Sequence, residues 1–537
     1  MKNSIGYVIT GSLTEGFDVR LDITHGSEHI KTGKFVSIIG KEYRFFSMIT
    51  DLRLEVTHPD ILLFPPTQEE TLLHSILRKK DMFMIAHIKP MVVLDRYNRV
   101  IPVKTIPTHF CPVSEVSNED VALIFGDEKD NSQRYFNIGT PLDMTTPVCL
   151  NLERLCERSN GIFGKTGTGK TFVTRLVLAG VIKSGKASTL IFDMHSEYGL
   201  QARQEGANKS FVKGLKTLFP DKVVIFSLDP ASTRRRGSMP DVEIVLPYSA
   251  IQIEDIISLQ DELNLHSTAV EAAYLIFAKY KKEWLSTLLA QEGNLKDFAF
   301  SIGAHPESIA ALYRKLKRIE RLPFFTPVTT SNRWETSVID QMMEYISKGK
   351  SIIVEFGDYT SSFCYLLVAN IITRRLHTEY ISATERFLGS QRTEDEPHKL
   401  LITIEEAHKF LSTAAAKQTI FGTIAREMRK YYVSLLVVDQ RPSGIDAEVI
   451  SQIGTKIIAQ LNDEKDIQAV LTGVNGSTAL RAVLASLESK KQALLIGHAV
   501  TMPVVIETRD YDERFYAAMQ AGQEPHRPVT DIIQEIF

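Results

Sequence analysis

The run Gly164-Lys165-Thr166-Gly167-Thr168-Gly169-Lys170-Thr171 fits G-x-x-x-x-G-K-[ST], the spacing of a phosphate-binding loop. Glycines let successive backbone N–H groups turn towards phosphates, and the amino end of the following helix adds about half a positive charge. Lys170 would neutralise the β- and γ-phosphates of ATP. Thr171 would set its hydroxyl on Mg²⁺, which bridges the same oxygens. Phe172 would flank the nucleotide as the helix begins.

Hydrolysis needs more than binding. Leu400-Leu401-Ile402-Thr403-Ile404-Glu405-Glu406-Ala407-His408 is an apolar strand ending in two carboxylates. Glu406 would polarise the attacking water and Glu405 would approach the Mg²⁺ shell, although an acid-rich helix start offers the same residues. Another strand, Val433 to Val438, ends in Asp439-Gln440-Arg441-Pro442, and Gln440 reads as a γ-phosphate sensor or as a loop cap. Between these strands, Arg426 and Arg429 lie three residues apart on one helix face. One of them would be an arginine finger for a neighbouring subunit's ATP; a solvated basic face is the other reading.

These residues need a sheet whose strands end on one edge. From about residue 148, apolar strands alternate with amphipathic helices, the pattern of a mostly parallel α/β domain. Its strands read as Gly161–Phe163, Thr189–Phe192, Val223–Phe226, Ser351–Phe356, Leu400–Ile404, Val433–Val438, Lys456–Ala459 and Ala493–Ile496. The fold class is α/β: a RecA-like P-loop ATPase domain over 148–246 and 348–510, interrupted by a helical insertion at 247–347. Residues 1–110 carry short β-branched and aromatic runs punctuated by Gly11, Gly16, Gly40 and Pro90, with one helix over Glu69–Arg78, and close naturally as a small β-barrel. Residues 111–147 form a transition and 511–537 a tail, with a helix before Glu524–Pro528.

The 537 residues exceed one hydrophobic core, so at least two domains are expected. Charged residues make up 24%, which excludes a largely disordered chain, and the net charge of −3 excludes nucleic-acid binding through a broadly basic surface. The four cysteines show no C-x-x-C spacing, which argues against a zinc site or disulfide scaffold. With no signal-peptide core and no apolar run of membrane-spanning length, a cytoplasmic protein without membrane contact is expected.

Taken together, Arg158-Ser159-Asn160-Gly161-Ile162-Phe163-Gly164-Lys165-Thr166-Gly167 and Glu405-Glu406-Ala407-His408 resemble the HerA family of hexameric DNA translocases, relatives of FtsK. The likeness extends over nearly the whole chain. Asp193-Met194-His195-Ser196-Glu197-Tyr198 resembles the family's D-x-H-G-E-Y element, with Ser196 in place of glycine. Ala425–Lys430 resembles R-E-G-R-K with Met428 as a departure, and Asp439–Pro442 resembles S-Q-R-P with Asp439 for serine.

The resemblance implies a homo-hexamer with ATP between neighbours, double-stranded DNA in the pore, and Arg158 reaching nucleotide across a subunit boundary. It further implies a partner, either a NurA-like nuclease for DNA end processing or another effector in anti-phage defence. The alternative is an ATP-regulated scaffold that activates an effector without translocation. A small-acceptor kinase shares the P-loop, but nothing resembles an acceptor lid. For DNA contact, the basic runs Arg234–Gly237, expected in a loop, and Arg314–Arg318, on a helix, are the places to look; each also fits a solvated surface.

Overall fold

The computed structural model describes residues 4–22, 30–58, 60–63, 81–130, 132–142, 144–203, 211–327, 337–427, 430–474, 477–488 and 491–521. Arg429, the helix expected over Glu69–Arg78 and the segment Glu524–Pro528 lie outside the described residues.

Seven strands form the first sheet: β1 (Ser4–Ser12), β2 (Gly16–Leu21), β3 (Phe35–Ile39), β4 (Arg44–Val56), β5 (Met82–Leu94), β6 (Val100–Pro102) and β7 (Pro112–Glu115). The order is β2-β1-β7-β3-β4-β5-β6, and β2 also pairs with β5, so six strands close on themselves and β6 extends the side of β5. This is the expected small barrel. Alternate residues such as Val8, Phe17, Val36, Ile38, Phe45, Ile88 and Val113 fill it.

Two details differ from the sequence reading. Pro90 does not end a strand; β5 runs through it. Pairing with β2 ends at Ile88 and pairing with β6 starts at Val92, so the proline's missing N–H falls between ladders, beside a bulge opposite Phe46/Ser47. The barrel also continues past residue 110 to take in β7, where only Val113 is buried and no alternation marks the strand.

The second sheet has twelve strands in the order β15-β14-β18-β11-β19-β20-β10-β21-β22-β23-β8-β9. Its members are β8 (Tyr135–Pro141), β9 (Val148–Asn151), β10 (Asn160–Phe163), β11 (Ser188–Asp193), β14 (Val223–Ser227), β15 (Val242–Glu243), β18 (Ser351–Glu355), β19 (Leu400–Glu405), β20 (Val433–Asp439), β21 (Thr455–Ile458), β22 (Gln492–Gly497) and β23 (Val504–Thr508). From β15 to β21 every pairing is parallel. Every residue of β14, β18 and β20 is buried, as expected for continuous apolar strands covered on both faces. The antiparallel extension by β23, β8 and β9 goes beyond the strands that the sequence marks. β8 carries Asn137, Gly139 and Pro141, which read as turn residues, and a bulge at Asn137/Gly139 accommodates them.

Two small pairs complete the strands: β12 (Gln201–Arg203) with β13 (Phe211–Lys213), and β16 (Leu246–Pro247) with β17 (Phe325–Thr326). The latter pair bounds most of the helical insertion, a region whose sequence shows no convincing strand. A buried carboxylate ties the insertion to the long helix Ser362–Ser390: Asp255 receives two bonds from Arg374, at 2.6 and 3.0 Å, and one from Asn370 at 2.9 Å. Helix Glu513–Gln520 packs back onto the domain, with Phe515 against Phe136 and Lys183 Nζ donating to Ala518 O.

Candidate functional site

Because β18, β11, β19, β20 and β10 are parallel and adjacent, their carboxyl ends meet on one edge. That edge carries Glu355, Asp193, Glu405, Asp439 and Phe163, and the P-loop starts at the next residue. Gly164 N–H donates to Asp439 O and Lys165 N–H to Gln460 O, so the loop is stitched to both flanking strands. Gly167 and Gly169 have φ of 80° and 89°, a left-handed turn that glycine adopts without cost. Helix Lys170–Ser184 follows, and Lys170 Nζ donates to Lys165 O at 2.9 Å across the loop. Thr168 is buried beneath the loop, its hydroxyl donating to Lys165 O.

A cavity of about 280 Å³ opens here. Thr166, Gly167, Gly169, Lys170, Thr171, Phe172, Glu405, Glu406 and Gln440 line it, so the structure brings most of the expected site together. Thr166 Oγ1 donates to Gln440 Oε1 at 2.5 Å and Gln440 Nε2 donates to Glu406 Oε1 at 3.0 Å. The amide thus links the P-loop to the glutamate. Glu406 itself sits at φ 49°, a conformation an L-residue adopts at a cost and one that recurs at functional positions.

Glu405 ends its strand against two buried tyrosines: Tyr198 Oη donates to its carboxylate at 2.6 Å, and its own N–H donates to Tyr365 Oη at 3.0 Å. Burial, with Asp193, Glu197 and Glu406 nearby, pushes its pKa up to about 8 against the opposing Tyr198 hydrogen bond. Burial likewise lifts Asp193 to about 6, although its carboxylate accepts the N–H groups of Glu197, Tyr198 and Gly199. His408 Nδ1 lies 2.9 Å from Asp439 Oδ2, and this hydrogen bond holds the imidazole pKa above its ordinary value.

Some lining residues escape a sequence reading. Arg175, 2% exposed, donates twice to Glu197 O and stacks beside Phe172 and Tyr198. The available signal is a cation set among the apolar turns of the helix after the P-loop. His195 and Glu197, which stand out in the sequence only by resemblance, also line the cavity.

Ser196 has φ 56°, which explains why a glycine suits this turn. Ser196→Gly is expected to stabilise the protein by about 0.5–1 kcal/mol. Urea unfolding measures it, and a lower midpoint in the variant would contradict the assignment.

Other expected site residues lie elsewhere. Arg158 precedes β10 at its amino end and packs its stem over Gly454, on the sheet edge opposite the P-loop. Arg426 is in helix Ile420–Glu427, just before β20, on that same far edge, and donates to Ala416 O at 2.8 Å. Neither lines this chain's own cavity. The run Arg234–Gly237 is no open basic loop: Arg234 and Arg235 end helix Pro230–Arg235, and Arg234, Arg235 and Arg236 pair with Glu243, Asp358 and Glu355. In the second run, Lys317 pairs with Glu292 and Arg318 stacks on Phe363.

A family model described as helicase HerA, central domain, matches residues 136–376. A DNA double-strand break repair helicase HerA from Sulfurisphaera tokodaii is 23% identical over 97% of this chain and 95% of its own. Another of that name, from Saccharolobus solfataricus, is 26% identical over 78% of this chain and 76% of its own. Among solved structures, VirB4 of Thermoanaerobacter pseudethanolicus aligns with a TM-score of 0.45 and 15% identity, covering 71% of this chain and 98% of that one. With the P-loop, the two glutamates and the Gln440 amide meeting at one cavity, the chain is an ATP-hydrolysing P-loop enzyme whose central part is similar to the HerA family.

Proposed function

We propose that the protein is a homo-hexameric ring motor that hydrolyses ATP between neighbouring subunits and moves on double-stranded DNA. The observation that carries this reading is the split of the machinery: the P-loop, Glu406 and Gln440 are on one sheet edge, and Arg158 and Arg426 are on the other. An arginine that cannot reach its own chain's nucleotide suits a neighbour's. The DNA assignment draws on the relatives, which are named as DNA double-strand break repair helicases.

Lys170 and the loop N–H groups hold the β- and γ-phosphates, Gln440 senses the γ-phosphate, and Glu406 takes a proton from the attacking water. Among the described residues no group of three or more His, Cys, Asp or Glu side chains could hold a metal by itself. Mg²⁺ on a nucleotide needs no such cluster, because phosphates and water supply most ligands. Thr171 and Glu405, which line the same cavity, would hold it there. Bound there, Mg²⁺ would neutralise charge developing on the phosphates.

No helix among the described residues is long and apolar enough to cross a membrane. We place the motor in the cytoplasm, working with a NurA-like nuclease or another effector. ATP turnover is expected to rise when duplex DNA is added, and DNA affinity to fall steeply with salt as counterions are released. Turnover indifferent to duplex DNA, both for the ring alone and with its nuclease, would sink the motor reading.

A further inference from the structure

We propose that Asp439 is a positioning residue that clamps the two active-site loops in register and thereby aims Glu406. Asp439 is the residue by which Asp439–Pro442 departs from the S-Q-R-P element. Its carboxylate is almost wholly buried, 1% exposed at the end of β20. Oδ2 accepts the backbone N–H of His408 at 2.6 Å and Oδ1 accepts that of Arg441 at 2.6 Å. The His408 ring adds a third donor, with Nδ1 at 2.9 and 3.2 Å from the two oxygens. A carboxylate only accepts, so Nδ1 carries the proton.

The contacts bracket the chemistry. His408 is two residues past Glu406, and Arg441 is one past Gln440, so one buried group fixes both loops against each other. The same His408 nitrogen lies 3.6 Å from Glu406 Oε2, while Gln440 holds Oε1 at 3.0 Å. Glu406 is therefore hydrogen-bonded at Oε1 by Gln440, the residue before the Arg441 that Asp439 anchors, and faces the anchored His408 ring at Oε2; its left-handed φ of 49° needs such an outside restraint to persist. A serine hydroxyl at this position is shorter and has fewer acceptor sites, so it cannot take three donors from two loops.

This inference rests on the proposed role of Glu406, and the experiment separates the two. ATP turnover is measured on full-length, folded Asp439→Ser, Asp439→Asn and His408→Asn, with Glu406→Gln alongside. Asp439→Ser and Asp439→Asn should lose about tenfold to a hundredfold in kcat, the scale of a catalytic group displaced by about 1 Å, with KM for ATP within about twofold because the P-loop is untouched. His408→Asn, which keeps both backbone contacts, should show a smaller fall in kcat, and it decides the matter if the Asp439 variants do not fold. Wild-type kcat in folded Asp439→Ser, or in His408→Asn where it alone folds, overturns the inference. So does a loss that tracks only the amount of folded protein. If Glu406→Gln keeps turnover, it is the Glu406 assignment that fails.

Discussion

Replacement of Arg426 by alanine is expected to lower ATP turnover by about 10³–10⁵-fold while leaving ATP binding in place, the scale of a lost arginine finger. Reach is the reason. Arg426 precedes β20, and β20 runs seven residues before arriving at Asp439 beside the P-loop. At about 3.3 Å per residue that is roughly 20 Å, well beyond an arginine side chain. Within its own chain the guanidinium donates to a local carbonyl, Ala416 O, so a merely structural role predicts reduced stability and no subunit complementarity. Mixing decides between the two. Rings assembled from Arg426→Ala and Lys170→Ala subunits contain interfaces where an intact P-loop faces an intact arginine, and these should recover turnover that neither variant has alone. Mixed rings that stay inactive, or an Arg426→Ala ring with wild-type turnover, would remove Arg426 from the mechanism.

How much of the fold and site is legible in the sequence depends on how local each feature is. The P-loop is a contiguous backbone turn, so Gly167, Gly169 and Lys170 can be read directly, and the positive φ at both glycines follows from the same rule. The fully buried parallel strands are equally plain, since unbroken runs such as Ile352–Val354 leave no polar face. Features made by distant partners are not visible. Tyr198 and Glu405 are 207 residues apart, and Asp255 and Arg374 are 119 apart, yet each pair is in hydrogen-bonding contact. Arg235 and Arg236 look free in the sequence because Asp358 and Glu355 come from elsewhere in the chain. Strand β8 is hidden by its own Asn137, Gly139 and Pro141, which a bulged antiparallel partner tolerates and a propensity rule does not. The arginine donors are the extreme case, because the nucleotide proposed for them is bound to another chain.

Glu406→Gln should lower kcat by about 10²–10⁴-fold, the usual worth of a positioned general base, with KM for ATP changed little. The substitution is informative because so little else changes. Gln440 Nε2 donates to Glu406 Oε1, and the new amide oxygen can accept the same bond, so the link from Thr166 through Gln440 survives. The backbone cost of φ 49° is the same for both side chains, so stability should not shift. What disappears is the basic carboxylate proposed to take the proton from water. Lys170→Ala provides the contrast, because it removes the cation on the phosphates and should lose nucleotide binding as well. Titration with a fluorescent ATP analogue and single-turnover hydrolysis separate the two effects. A Glu406→Gln protein that turns over ATP within a few-fold of wild type would shift the proton acceptor to another pocket carboxylate. Glu405 is the worst placed to take over, since it is buried at the strand end and its carboxylate already accepts the Tyr198 hydroxyl. Asp439 is buried and engaged by His408 and Arg441, whereas Glu406 lines the cavity with its carboxylate linked to the Gln440 amide.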